Sequence, residues 1–127
     1  MPLVRIDLIH GKPAGYPSEI GAVIYEAMTE TLGVPADDRF EVITEHAREN
    51  FIFDPGYLGI TRTEDCVFIQ VTLNAGRTVD TKRAFYRAIA DGLHRRLQIR
   101  REDVLINLVE VPKENWSFGN GEAQYAE

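Results

Sequence analysis

The chain has 127 residues, 44% of them apolar and 27% charged, the make-up of one globular domain with a core of its own. Acidic residues outnumber basic ones 20 to 14, a net charge of −6, and no Lys/Arg run offers the basic face that nucleic acid requires, so no nucleic-acid partner is expected. No apolar stretch approaches the roughly 20 residues of a membrane span, and Cys66 is the one cysteine, which excludes an internal disulfide framework.

The opening run, MPLVRIDLIHGK, carries Arg5 and Asp7 among its apolar residues and is not a signal peptide. A cytoplasmic protein with no membrane partner is expected. Its first residues alternate as a strand does. Ser18 is then a candidate helix N-cap, ahead of a helical stripe of Ile20, Val23, Ile24, Ala27, Met28, Thr31 and Leu32. Gly33 and Val34-Pro35 stop that helix. A second strand is expected over residues 40–44. Residues 51–53, the Asp54-Pro55-Gly56 turn and residues 58–60 read as a hairpin. A third strand starts at Val67. Thr78 caps a second helix with the stripe Phe85, Ala88, Ile89, Gly92, Leu93 and Leu97, and a fourth strand follows over residues 104–109.

An internal repeat orders these elements. Moving the sequence by 65 positions sets Pro2-Leu3-Val4-Arg5-Ile6 on Val67-Phe68-Ile69-Gln70-Val71, Gly11-Lys12 on Gly76-Arg77, Leu32-Gly33-Val34 on Leu97-Gln98-Ile99, and Asp37-Asp38 on Glu102-Asp103. The chain therefore reads as one domain: repeat one over about residues 2–46, an inserted hairpin at about 51–60, repeat two over about 67–110, and a tail over 112–127. Two β-α-β units make an α/β fold of the two-layer α+β sandwich kind, a four-stranded mixed sheet with both helices on one face. The opposite face is expected to be strongly apolar, and a homotrimer with its sheets turned inward covers it economically.

Pro2 is the candidate for chemistry. Methionine is normally trimmed before a small residue, and trimming leaves proline with a free secondary amine that burial makes less basic. Such an amine serves as base, acid or iminium-forming nucleophile. Read alone, Pro2 merely starts an edge strand. His10, His46 and His94 lack metal-ligand spacing, so no metal is expected. Cys66 has no cue for a reactive thiol. Glu114 is a loop carboxylate able to activate water, or simply solvated.

Met1-Pro2-Leu3, the repeat and the need for a trimer resemble the tautomerase superfamily, whose members carry an amino-terminal proline at the start of the first strand. Leu32-Gly33-Val34-Pro35, Asp38-Arg39-Phe40, Glu45-His46, Leu58-Gly59-Ile60, Phe85-Tyr86 and, most distinctively, Trp116-Ser117-Phe118-Gly119-Asn120-Gly121-Glu122-Ala123-Gln124 resemble its malonate semialdehyde decarboxylase branch. The resemblance implies Pro2 as the catalytic amine and Asp38 as the carboxylate that positions or activates water. It implies Arg77 as an anchor for the substrate carboxylate, and Trp116 and Phe118 as an apolar wall. Without it, Asp38 caps a turn, Arg77 faces solvent and Trp116 packs the tail. That branch has an Arg-x-Arg pair in the loop where this chain reads Leu73-Asn74-Ala75-Gly76-Arg77, so Asn74 or Ala75 stands near the missing first arginine, and Asn74 is a candidate substrate contact. The implied chemistry is keto–enol tautomerisation of a small oxo acid, malonate semialdehyde-type decarboxylation, or both, with no cofactor. Water addition to an unsaturated acid, as in a hydratase or dehalogenase, and a non-catalytic trimer that binds a partner protein are the alternatives.

Overall fold

A computed structural model describes residues 2–126. The elements run β1 (Leu3–Ile9), α1 (Tyr16–Thr31), β2 (Glu41–His46), β3 (Val67–Asn74), α2 (Val79–Leu97) and β4 (Val104–Val111). They form one four-stranded sheet in the order β2-β1-β3-β4. Each β-α-β unit supplies a parallel pair, and the units join through an antiparallel β1–β3 contact. The two-layer mixed-sheet fold expected from the repeat is the fold observed.

Strand alternation explains where the core lies. Val4, Ile6 and Leu8 of β1 and Val67, Ile69, Val71 and Leu73 of β3 turn to the helices and are buried. Against them lie Ile20, Ile24 and Met28 of α1, and Phe85, Ile89 and Leu93 of α2. The offset of 65 sets Ile20 on Phe85, Ile24 on Ile89 and Met28 on Leu93, so each half buries the same positions.

The helix signals hold with one correction. The Thr78 hydroxyl accepts from the Thr81 amide at 3.2 Å and caps α2. Gly33 takes the left-handed conformation, φ 68°, that lets the chain leave α1. Ser18 is not the cap of α1, which starts earlier: Gly15 is the N-cap, Pro17 lies in the first turn, and the Ser18 hydroxyl donates to the Gly15 carbonyl at 3.0 Å. Proline's fixed φ suits a first helical turn, where its missing N–H costs nothing.

Residues 51–60 are not a hairpin, for they carry no strand. Arg62 Nη1 donates to the carbonyls of Asp54, Tyr57 and Ile60 at 3.3, 3.1 and 3.2 Å, and the Gly56 amide donates to Asp54 Oδ1 at 2.9 Å. One guanidinium satisfies the carbonyls that a ladder would have used. The segment belongs to the repeat. The same offset sets Arg48-Glu49-Asn50-Phe51-Ile52-Phe53 on Lys113-Glu114-Asn115-Trp116-Ser117-Phe118, and both stretches open with a 3₁₀ turn, Arg48–Asn50 and Lys113–Asn115.

The outer face of the sheet is less uniformly apolar than expected. Leu3, Val42, Leu105 and Val109 are exposed on it, but the strand register draws Val42, Arg5, Gln70 and Asn107 into one row across its middle. Gln70 Nε2 donates to Asn107 Oδ1 at 3.1 Å, and His46 Nε2 lies 2.6 Å from Asp7 Oδ1 on the same face. Among the described residues no helix is long and apolar enough to cross a membrane.

Candidate active site

The antiparallel β1–β3 contact brings the start of β1 beside the end of β3. Pro2, just ahead of β1, is buried. Proline fits there because a strand start loses no ladder donor to it. The Val4 amide donates to the Phe40 carbonyl at 3.0 Å, which fixes Phe40 at the same end of the sheet. After β4 the chain turns at Pro112 through Lys113–Asn115 and crosses this end with Trp116, Ser117 and Phe118. The result is a cavity of about 250 Å³ lined by Pro2, Leu3, Phe40, Trp116, Ser117 and Phe118.

Its aromatic wall is held from two sides. Trp116 and Phe118 stack at 5.4 Å between centroids, and Tyr125 meets Phe118 edge-on at 4.8 Å. Gln124 clamps the loop between them: its Oε1 accepts from the Phe118 amide at 3.0 Å, and its Nε2 donates to the Gly119 carbonyl at 2.9 Å. On the other side, Trp116 Nε1 donates to Asn74 Oδ1 at 2.8 Å. A half-buried indole N–H is satisfied by such an acceptor.

The candidates thus fall into three groups. Pro2, Trp116 and Phe118 meet in one cavity. Asn74 reaches it through the indole. Arg77 is outside the lining: its Nη1 donates to the Asn74 carbonyl and its Nη2 to the Leu32 carbonyl after α1, both at 3.2 Å. Asp38 is buried two residues before Phe40, also outside the lining. Burial raises its carboxyl above the usual range, and the neighbouring Asp37 charge adds to that. Its repeat counterpart Asp103 accepts from the Thr63 amide at 2.6 Å and the Thr63 hydroxyl at 2.7 Å, holding the chain as it approaches β3. Asp38 occupies the equivalent place beside β1. Leu3, Phe40 and Ser117 were not singled out from sequence. Phe40 was legible in principle, because a β-α-β unit must set the starts of its two parallel strands side by side.

The remaining candidates lie elsewhere. Burial pushes the Cys66 thiol up to about 11, with the charge of Asp103 adding to it, which makes it inert as a nucleophile. His94 Nδ1 faces the Ile99 carbonyl at 3.3 Å, where α2 ends.

Family profiles described as tautomerase enzyme match residues 38–119 and residues 2–60. The chain is 41% identical over its whole length, and that of its relative, to the probable tautomerase YusQ of Bacillus subtilis. It is 34% identical to the probable tautomerase YrdN of the same organism, over 98% of this chain and 96% of the other. A crystal structure of FG41 malonate semialdehyde decarboxylase inhibited by 3-bromopropiolate superposes with a TM-score of 0.90 at 36% identity, covering 97% of this chain and 93% of that one. A fused 4-OT solved as a symmetric trimer shares the fold at a TM-score of 0.79 and 24% identity, with 98% of each chain covered. On its sequence, its repeat and its architecture, the chain belongs to the tautomerase superfamily, in the branch that resembles malonate semialdehyde decarboxylase.

Proposed function

We propose that the chain, once Met1 is removed, uses the Pro2 amine on a small oxo acid, with keto–enol tautomerisation as its basic reaction and decarboxylation of a 3-oxo acid on the same amine. The observation that carries this reading is the burial of Pro2 in a cavity walled by Trp116 and Phe118. An apolar wall lowers the proton affinity of an amine, which suits Pro2 to serve as a base or an acid. In tautomerisation the amine takes a proton from the carbon beside the carbonyl, and the oxygen receives one. In decarboxylation the protonated amine polarises the carbonyl, the electron pair of the carbon–carboxylate bond moves into the enol, and carbon dioxide leaves.

We assign Asp38 the positioning of water or a proton beside that amine, and Arg77 the substrate carboxylate. Arg77 is joined to the cavity wall through Asn74, and a guanidinium binds a carboxylate with two parallel hydrogen bonds. The active form is read as a homotrimer, for which the exposed apolar residues of the outer sheet face and the trimeric assembly of a fused 4-OT are the support.

The test uses untagged protein whose mass establishes that Met1 is absent. It should ketonise enol-phenylpyruvate, and Pro2→Ala, which keeps a primary amine but loses the ring, should lower kcat/KM at least about a hundredfold, the scale of general acid–base catalysis. Equal rates would dismiss proline catalysis and leave the partner-binding trimer as the better reading.

A further inference from the structure

The offset that sets Leu3 on Phe68, Phe40 on Leu105 and Phe118 on Phe53 also relates two cavities. The first holds Pro2. The second, at the opposite end of the sheet, encloses about 140 Å³ between Phe53, Asp54, Tyr57, Arg62, Phe68 and Leu105. It is built as the first is, from a strand-start apolar pair and an aromatic segment that follows a 3₁₀ turn. Phe51, the counterpart of Trp116, stacks on Phe68 at 4.4 Å and is buried.

Two differences set its chemistry. The counterpart of Pro2 is Val67, whose nitrogen is an amide inside the chain, so this cavity has no amine to offer. It has a guanidinium instead. Arg62 is anchored through Nη1 to three carbonyls, whereas Nε and Nη2 make no hydrogen bond among the described residues. Those two nitrogens form the edge that grips a carboxylate with parallel hydrogen bonds, and the anchoring of Nη1 means little freedom is lost when it does so. Asp54 also lines the cavity. Its Oδ1 accepts from the Gly56 amide, and its charge disfavours a ligand with a second carboxylate.

We propose that this second cavity is a binding site for a monocarboxylate with an aromatic or branched apolar body, which it holds without turning it over. The proposal stands on the repeat and on Arg62, and does not depend on catalysis at Pro2.

Titration calorimetry with 3-phenylpropionate, which has no oxo group to react, tests it on the full-length chain. The expected stoichiometry is two ligands per chain. Leu105→Trp, which fills the second cavity, should leave one, and Phe118→Ala should weaken the other site about tenfold or more without moving the Leu105-sensitive one. Should Leu105→Trp misfold, Tyr57→Glu adds a carboxylate to the same cavity from its loop side and should remove the same binding event. A single wild-type site lost in either variant supports the proposal while leaving the Pro2 reading to its own assay. A single site that survives both variants, or no binding at about 10 mM ligand, overturns it.

Discussion

Asn74 joins the wall of the candidate site to the rest of the fold at a single residue. Its Oδ1 accepts from the Trp116 indole, and its backbone carbonyl accepts from Arg77. A neutral hydrogen bond of this kind contributes about 1 kcal/mol, enough to fix a ring that otherwise rests on its stack with Phe118. Trp116 is the one tryptophan, so its fluorescence reports this contact without interference. Asn74→Ala should shift the emission to the red and raise KM several-fold, with a smaller effect on kcat. Asn74→Asp keeps the acceptor, so it should preserve the emission, yet it should raise KM for an acidic substrate by placing a charge near it. An unmoved spectrum in Asn74→Ala would mean that the stack with Phe118 holds the indole by itself. Arg77 is positioned by backbone: one N–H of Nη1 and one of Nη2 are held by the Asn74 and Leu32 carbonyls, which leaves its other N–H groups for the carboxylate proposed above.

The two helices touch at a point where one side chain has been left out. A Cβ added to Gly92 of α2 would lie 2.7 Å from Val23 Cγ1 of α1, inside any tolerable contact. Valine is stiff at χ1 in a helix and cannot swing aside. Alanine gains about 1 kcal/mol of helix propensity over glycine, but overpacking of this kind costs about 1–3 kcal/mol. Gly92→Ala should therefore lower stability to urea by about 1 kcal/mol, and adding Val23→Ala should make the clash vanish, leaving only the cost of the lost Val23 methyls. A more stable Gly92→Ala chain would show that the helices separate freely. The repeat offset makes Ala27 of α1 the counterpart of Gly92, so the contact is asymmetric although the halves are copies. The repeat was legible because both halves bury the same strand and helix positions, and each match reinforces the next. Residues 51–60 were misread because Phe51-Ile52-Phe53 before an Asp-Pro-Gly turn has the local chemistry of a hairpin. What overrides it is tertiary: Arg62, outside the segment, gathers three of its carbonyls. Composition near the turn contains no sign of that. The parallel of Arg48-Glu49-Asn50 with Lys113-Glu114-Asn115 does, and it makes the segment the tail of repeat one.

On the molecule as a whole, the helices cover one face of the sheet and leave the other to be explained. That face is not a simple apolar slab. Leu3 and Val109 lie in register through Thr72 toward one end, Leu105 and Phe68 toward the other, and the row of Val42, Arg5, Gln70 and Asn107 runs between them. A polar row inside an apolar surface is what an interface needs to fix one register of assembly, because misaligned contacts would leave Arg5 without a partner in a desolvated place. Arg5 makes no hydrogen bond among the described residues, so its guanidinium is free to meet an acceptor across such an interface. The expected assembly is a trimer with its sheets turned inward, and sedimentation at micromolar concentration should give three times the chain mass. Val42→Lys should dissociate it, since a second cation beside Arg5 is then buried without a partner in each of three equivalent contacts, and each costs several kcal/mol. The isolated variant should keep its fold, because Val42 is 44% exposed in the single chain and contributes nothing to the core beneath the helices. Arg5→Leu separates the two roles of the face: it adds apolar area but removes the register signal, so assemblies should persist while losing a single defined size. A stable wild-type monomer, or a Val42→Lys protein that still sediments as a trimer, would move the interface away from this face and leave its apolar residues to another partner.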